Sequence, residues 1–240
     1  MNYYYLAAMA IFLIAFFIIK RQNSMNAGSD NKFINQNLEI DVPIDFGYKS
    51  IWVAVKTNQK SRLAEIINLK QIRNANWESG LEMAYNEGVF ITPLIGEWTL
   101  ITGWGLPKGD SPENIAGLED LLNTLSAEFG EAQFFGTHRI VEFQSWMKSI
   151  NGKMVRVYTY VGESMETIKV LGIPTKVEVG LKLFNSLSEE AQNEDYFERE
   201  DLIYADEELV MKIAEHWSIN PSKLSERKDI KEELGFAGKY

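Results

Sequence analysis

The dipeptide Asn151–Gly152 constrains this chain more than any other feature, because alternating apolar and polar residues run up to it and away from it. Asn and Gly both accept positive φ at little cost. A two-residue hairpin turn that matches the right-handed twist of its strands needs that conformation. The pattern therefore predicts a hairpin, with strands over Ile140–Ser149 and Met154–Val161. With a two-residue loop, Ile150 faces Lys153, and the cross-strand pairs Trp146–Val157, Ser145–Tyr158 and Phe143–Tyr160 follow.

More strands are predicted on both sides of this hairpin. Ile51–Thr57 is short, apolar and β-branched. Val89–Gly103 reads as two strands joined around Ile95–Gly96–Glu97, and Ala132–Gly136 and Met165–Val170 add two more. Helices are signalled by 3.6-residue spacing. Leu63, Ile66 and Ile67 follow a cap at Asn58. Trp77, Leu81 and Ala84 lie within Asn76–Tyr85. Leu118, Leu121, Leu122 and Leu125 lie between Ser111–Pro112 and Gly130. Thr175-x-x-Glu178 has capping-box spacing and predicts a helix to about Asn185. Asp206 caps DEELVMKIAEHW, and Pro221 stops it. The fold class that follows is α+β, a mostly antiparallel sheet with helices packed on one face.

Residues 3–19, YYYLAAMAIFLIAFFII, carry no charge. As a helix they cover about 25 Å, close to the ~30 Å hydrocarbon core, so they predict an N-terminal transmembrane anchor over residues 1–21. Lys20 and Arg21 follow the apolar run, and the positive-inside rule places the rest of the chain in the cytoplasm. An anchor of the opposite orientation, with the domain outside the cytoplasm, is the alternative; translation from Met25 would give a soluble protein. Residues 22–46 are rich in Asn, Ser and Gly and read as a linker, 47–224 as one α+β domain, and 225–240 as a loose charged tail.

The net charge of −10 is concentrated in one place. Residues 187–209 hold ten acidic side chains and one basic one, Arg199, so this stretch carries −9. No clustered Lys/Arg surface is legible, which argues against nucleic acid as a partner. The chain has no cysteine, hence no disulfide, thiolate metal site or cysteine nucleophile. Gly103–Gly109 lies between a strand and a helix but lacks the spacing of a dinucleotide or phosphate loop. No cofactor or metal is expected.

Three groups of residues are candidates for function. His138, Arg139 and Glu142 offer a base and its partners, against the commoner reading of a polar strand junction. Arg156, Tyr158 and Tyr160 alternate on one strand face and either line a ligand surface or cover the sheet beneath a helix. Tyr196, Phe197 and Tyr204 interleave the acids of 187–209, which solvating tails rarely do, and suggest a protein partner at that stretch. His216, on the last helix, is expected to be structural.

The stretches GVFITPLIGEWTLITG, FGTHRIVEFQSWMKSINGKMVRVYTYVGE and DEELVMKIAEHWSINP resemble a family of bacterial proteins to which no activity is assigned, over about Trp52 to Leu224. The resemblance implies a bacterial origin and one domain, and transfers no residue roles. The leading expectation is a membrane-anchored, non-enzymatic protein-binding module of immunity or inhibitor type. The alternatives are a hydrolase-like enzyme built on His138, Arg139 and Glu142, and a small-ligand or envelope-sensing domain.

Overall fold

Strand β1, Ile51–Val55, is buried along its whole length, so both of its faces need cover. That requirement organises the domain. The computed structural model describes residues 38–240; the expected membrane segment 3–19 and most of the expected linker lie outside them. Among the described residues no helix is long and apolar enough to cross a membrane.

The sheet has nine strands, every neighbouring pair antiparallel. In chain order they are β1, β2 Lys70–Ala75, β3 Val89–Ile91, β4 Thr99–Thr102, β5 Glu131–His138, β6 Phe143–Ile150, β7 Lys153–Val161, β8 Glu166–Leu171 and β9 Gly235–Lys239. Their order across the sheet is β2-β9-β3-β4-β1-β5-β6-β7-β8. Among the described residues the α-helices are α1 Lys60–Ile66, α2 Trp77–Tyr85, α3 Pro112–Phe129 and α4 Glu207–Trp217.

Helices pack on both faces, not on one. Leu63 of α1 and Leu118, Leu122 and Leu125 of α3 cover the face that carries Val53, Phe134, Met147 and Val157. Leu81 of α2 and Val210 and Ile213 of α4 cover the face that carries Trp52, Phe135, Trp146 and Tyr158. Each fully buried side chain of this kind contributes roughly 1.5–3 kcal/mol. Central strands with two apolar faces show little alternation, so a one-faced reading was the natural error.

Local signals set most element ends. Asn76 caps α2 in a reciprocal box with Ser79, Ser111 caps α3 ahead of Pro112, and Asp206 caps α4. The Asn151–Gly152 turn forms with Ile150 facing Lys153, as expected. Beyond it the register shifts between Lys148 and Ser149, so Trp146 faces Tyr158 and Lys148 faces Arg156. A bulge adds one residue to one strand, and a one-residue slip exchanges its faces. Trp146 and Arg156 therefore share a face.

The C-terminal residues differ most from expectation. Gly235–Lys239 is no loose tail: β9 fills the gap between β2 and β3. A Cβ at Gly235 would lie 2.3 Å from the Ile91 carbonyl oxygen, so this strand needs glycine and shows no side-chain pattern. The expected linker also contributes at its end. The Asp41 carboxylate accepts hydrogen bonds from the backbone N–H groups of Trp77 and Glu78, and that of Asp45 accepts from Ser225.

Candidate functional site

Arg156, Tyr158 and Tyr160 do lie on one face of β7, the face shared with Trp146, and all three are buried. A long irregular strap, residues 172–206, covers them in place of the helix expected over 175–185. The Thr175–Glu178 spacing still produces its pairing: Glu178 Oε2 accepts from Thr175 N–H at 2.8 Å and from Thr175 Oγ1–H at 2.6 Å. Only one turn forms, because Gly180, at φ +89°, ends it.

That turn delivers Glu178 to Arg156. Glu178 Oε1 accepts from Arg156 Nε at 2.9 Å, from Arg156 Nη2 at 2.6 Å and from Trp146 Nε1 at 2.9 Å. Arg156 Nη1 donates to the carbonyls of Val157, Leu171 and Gly172. The side chains of Arg156 and Glu178 are 3% and 0% exposed. Burial pushes the Glu178 carboxyl up, but the hydrogen bonds from Arg156 and Thr175 and the Arg156 charge outweigh it, and the group stays below the usual carboxylate range. Thr175 Oγ1 also accepts from Trp217 Nε1 at 3.1 Å, which ties the node to α4.

Outside this node lies a cleft of about 480 Å³, lined by Arg156, Tyr158, Lys182, Arg199 and apolar side chains such as Leu181 and Leu202. Its polar walls are already engaged. Tyr158 donates its hydroxyl to the Phe184 carbonyl at 2.8 Å, and burial raises its pKa well above the usual tyrosine value. Arg199 pairs with Glu190 and Asp201, and Lys182 with Asp201.

The three aromatic partner candidates gather around Phe184. Tyr204 stacks on it at 5.0 Å, and Tyr196 and Phe197 lie at 5.7 and 5.9 Å. Tyr196 is buried, and its hydroxyl accepts from Asn185 N–H. Phe197 and Tyr204 keep 46% and 38% of their surface open. Tyr160 completes the group, and burial, with added repulsion from Tyr204 and Glu142, pushes its hydroxyl up to about 12.

His138, Arg139 and Glu142 do not converge. The His138 ring meets Trp104 edge-on at 5.4 Å, on the α1/α3 side of the sheet. Arg139 turns to the other side, where Nε donates to Glu207 Oε2 at 2.5 Å and the guanidinium lies over the Tyr48 ring. Glu142 sits in the β5–β6 turn at φ +50°. Arg139 and Glu142, without His138, border a second, open depression of about 600 Å³ with Tyr48, Gln144, Tyr204 and the first residues of α4. His216 is exposed, its Nδ1 2.8 Å from the Lys212 carbonyl oxygen. Among the described residues no group of three or more His, Asp or Glu is arranged to hold a metal ion.

Sequence reading overlooked Glu178, seen only as a capping residue, and Gln144. The first had a usable signal in its spacing from Thr175; a buried amide on an alternating strand has none. Comparison with known proteins finds no matching family model, no matching curated protein and no matching solved structure.

Proposed function

We propose that this chain is a protein-binding module of immunity or inhibitor type, tethered to the membrane through residues 3–19, which presents strap 172–206 to a basic partner. The observation that carries this reading is the strap itself. Between β8 and α4 it holds only two short 3-10 helices, Glu189–Gln192 and Glu194–Glu198, and one isolated bridge, Leu183 to Ile203, and connections of this length are more often functional than the usual short ones. It is anchored from below by the Arg156–Glu178 node and by Phe184. Its outer surface offers Glu189, Asp195, Glu198 and Glu200, all exposed and outside the strap's ion pairs, beside the half-open Phe197 and Tyr204. Acids steer a basic surface into register, and aromatic side chains supply contact area once it has docked.

The alternatives fare less well on geometry. A hydrolase needs His138, Arg139 and an acid within hydrogen-bond reach of one another, and these side chains lead to opposite sides of the sheet. A small ligand in the 480 Å³ cleft would meet an arginine and a tyrosine hydroxyl whose hydrogen bonds are already made.

The test is cross-linking of the full-length chain in its own cells, with identification of the captured protein. It is repeated with a chain carrying Glu189→Gln, Asp195→Asn, Glu198→Gln and Glu200→Gln. The expected result is one basic partner, captured at least ~10-fold less by the variant and released as salt approaches ~1 M, where the screening length falls to ~3 Å. Capture indifferent to the four substitutions, or no specific partner, overturns the reading.

A further inference from the structure

Gln144 lies near the start of β6, only 4% exposed, and its Oε1 is buried without a hydrogen-bond partner. Buried side-chain acceptors are satisfied in the large majority of cases, so an orphan of this kind points to a missing donor. The Gln144 side chain borders the 600 Å³ depression; Oε1 itself has almost no open surface, so a donor brought by another molecule meets it once the amide turns toward the depression.

The surrounding charge says what kind of donor. Asp206, Glu207 and Glu208 line the same depression. All three have local roles at the start of α4: Asp206 Oδ1 caps the helix through Leu209 N–H, Glu207 holds Arg139, and Glu208 accepts the Tyr48 hydroxyl. They exceed what the helix dipole, equivalent to about half a charge, asks for. Glu142 has no such role: it is exposed, and no ion pair holds its carboxylate among the described residues. The walls are completed by the rings of Tyr48 and Tyr204. No three carboxylates gather for a metal ion among the described residues. What remains is an unfilled neutral acceptor, an unpaired carboxylate and aromatic walls, which suit a planar organic cation. A guanidinium supplies several donors in one plane and stacks on aromatic rings, whereas an ammonium is a compact, strongly hydrated point charge. Arg139 displays the same chemistry within the molecule, lying over Tyr48 at 5.8 Å while paired with Glu207.

We infer that the depression between the β5–β6 turn and the start of α4 receives the guanidinium of one arginine from the protein partner. Gln144 Oε1 and Glu142 accept its hydrogen bonds, and Tyr204 packs against its plane. This rests on the protein-binding reading above and names the side chain that the partner inserts. Tyr204, Ala205 and Asp206 belong to both the strap and the depression, so one partner surface reaches both.

The experiment is a titration of the full-length, ¹⁵N-labelled chain in detergent micelles with N-acetyl-arginine amide, and separately with N-acetyl-lysine amide. The readout is the side-chain amide signal of Gln144, assigned by its loss in Gln144→Leu. The expected result is a saturable shift with the arginine probe, and a response about tenfold weaker for the lysine probe and for Glu142→Gln, the scale of one hydrogen bond to a charged group. Gln144→Leu should abolish binding, read at neighbouring signals, with the melting temperature unchanged or raised, because it removes an unsatisfied buried acceptor. Glu142→Gln, at an exposed position, serves if the buried substitution disturbs folding. No shift, equal shifts with both probes, or undiminished binding in Gln144→Leu overturns the inference. Partner capture that is lost with the strap substitutions but untouched by Gln144→Leu overturns the arginine anchor and leaves the binding function standing. An arginine shift with no cellular partner does the reverse.

Discussion

Two arginine–glutamate pairs lie on the same side of this sheet, and their surroundings divide their roles. Arg156 and Glu178 meet at 2.6 Å with 3% and 0% of their side chains exposed; Arg139 and Glu207 meet at 2.5 Å with 66% and 14% exposed. The contact distances are nearly the same, so distance does not separate the two pairs. In the buried pair all three Arg156 nitrogens donate to protein and both Glu178 oxygens accept from it, although the 480 Å³ cleft lies alongside. The open pair edges a depression in which an acceptor and a carboxylate still lack partners. A saturated buried pair fastens the strap to the sheet. The unsaturated rim is where a partner can add something.

The comparison breaks most visibly at Glu178. Glu178→Gln keeps the shape but turns one end of the side chain into a donor. That end must face either Trp146 and Arg156 or Thr175, all of which already donate. Arg156 is left buried without a counter-charge. The expected loss is about 3–5 kcal/mol in urea unfolding, with cleavage by protease first within 172–206. Replacing both partners, Arg156→Met with Glu178→Leu, should recover most of that loss, because apolar residues of similar volume often match a buried pair. A double variant as unstable as the single one would mean that the node is not a self-contained pair.

Acid offers a milder way to the same node. The native Glu178 carboxyl is held below its usual range by the hydrogen bonds and charge that outweigh its burial. Its contribution is therefore full above the unfolded value of roughly 4.3, declines as pH falls below it, and is gone once pH passes the native value. Unfolding measured from pH 7 downward should show this loss in the natural chain. The double variant, which has no carboxyl there, should lose less over the same interval. Parallel curves would remove Glu178 from the account of acid sensitivity.

How much of this was legible in the sequence follows from which signals are local. The hairpin at Asn151–Gly152, the caps at Asn76, Ser111 and Asp206, and the stripes of α2, α3 and α4 depend on residues within one turn of each other, and the structure contains each of them. β2 is a polar edge strand, KQIRNA, and β9 is glycine-rich; their pairing is a long-range property without periodicity. The bulge beyond Lys148 is invisible for the same reason, and it alone brings Trp146 to the face of Arg156. The Thr175–Glu178 pairing was readable; its service to a buried arginine rather than to a helix was not. His138 and Arg139 are neighbours in sequence but part at the end of β5: His138 is its last residue, and Arg139, first in the turn that follows, leads to the other side of the sheet.

The smallest expected effect lies at the rim and bears most directly on what the depression does. Arg139→Ala removes an exposed ion pair and a contact over Tyr48, so its cost in urea unfolding should be far smaller than that at Glu178 and shrink further in salt. A loss as large as that at Glu178 would make the rim a second fastener and erase the contrast between the two pairs. The same substitution frees Glu207, whose Oε1 otherwise accepts only from Thr137 Oγ1 at 3.3 Å and Lys49 N–H at 3.4 Å. It leaves the depression more negative and with one tyrosine face open. If Arg139 occupies part of the place that an incoming arginine uses, removing it should tighten the arginine probe by roughly 2- to 5-fold, the equivalent of one exposed pair. If Arg139 instead helps to hold the probe, binding should weaken, and the charged wall to mutate next would be Glu142 rather than Glu207.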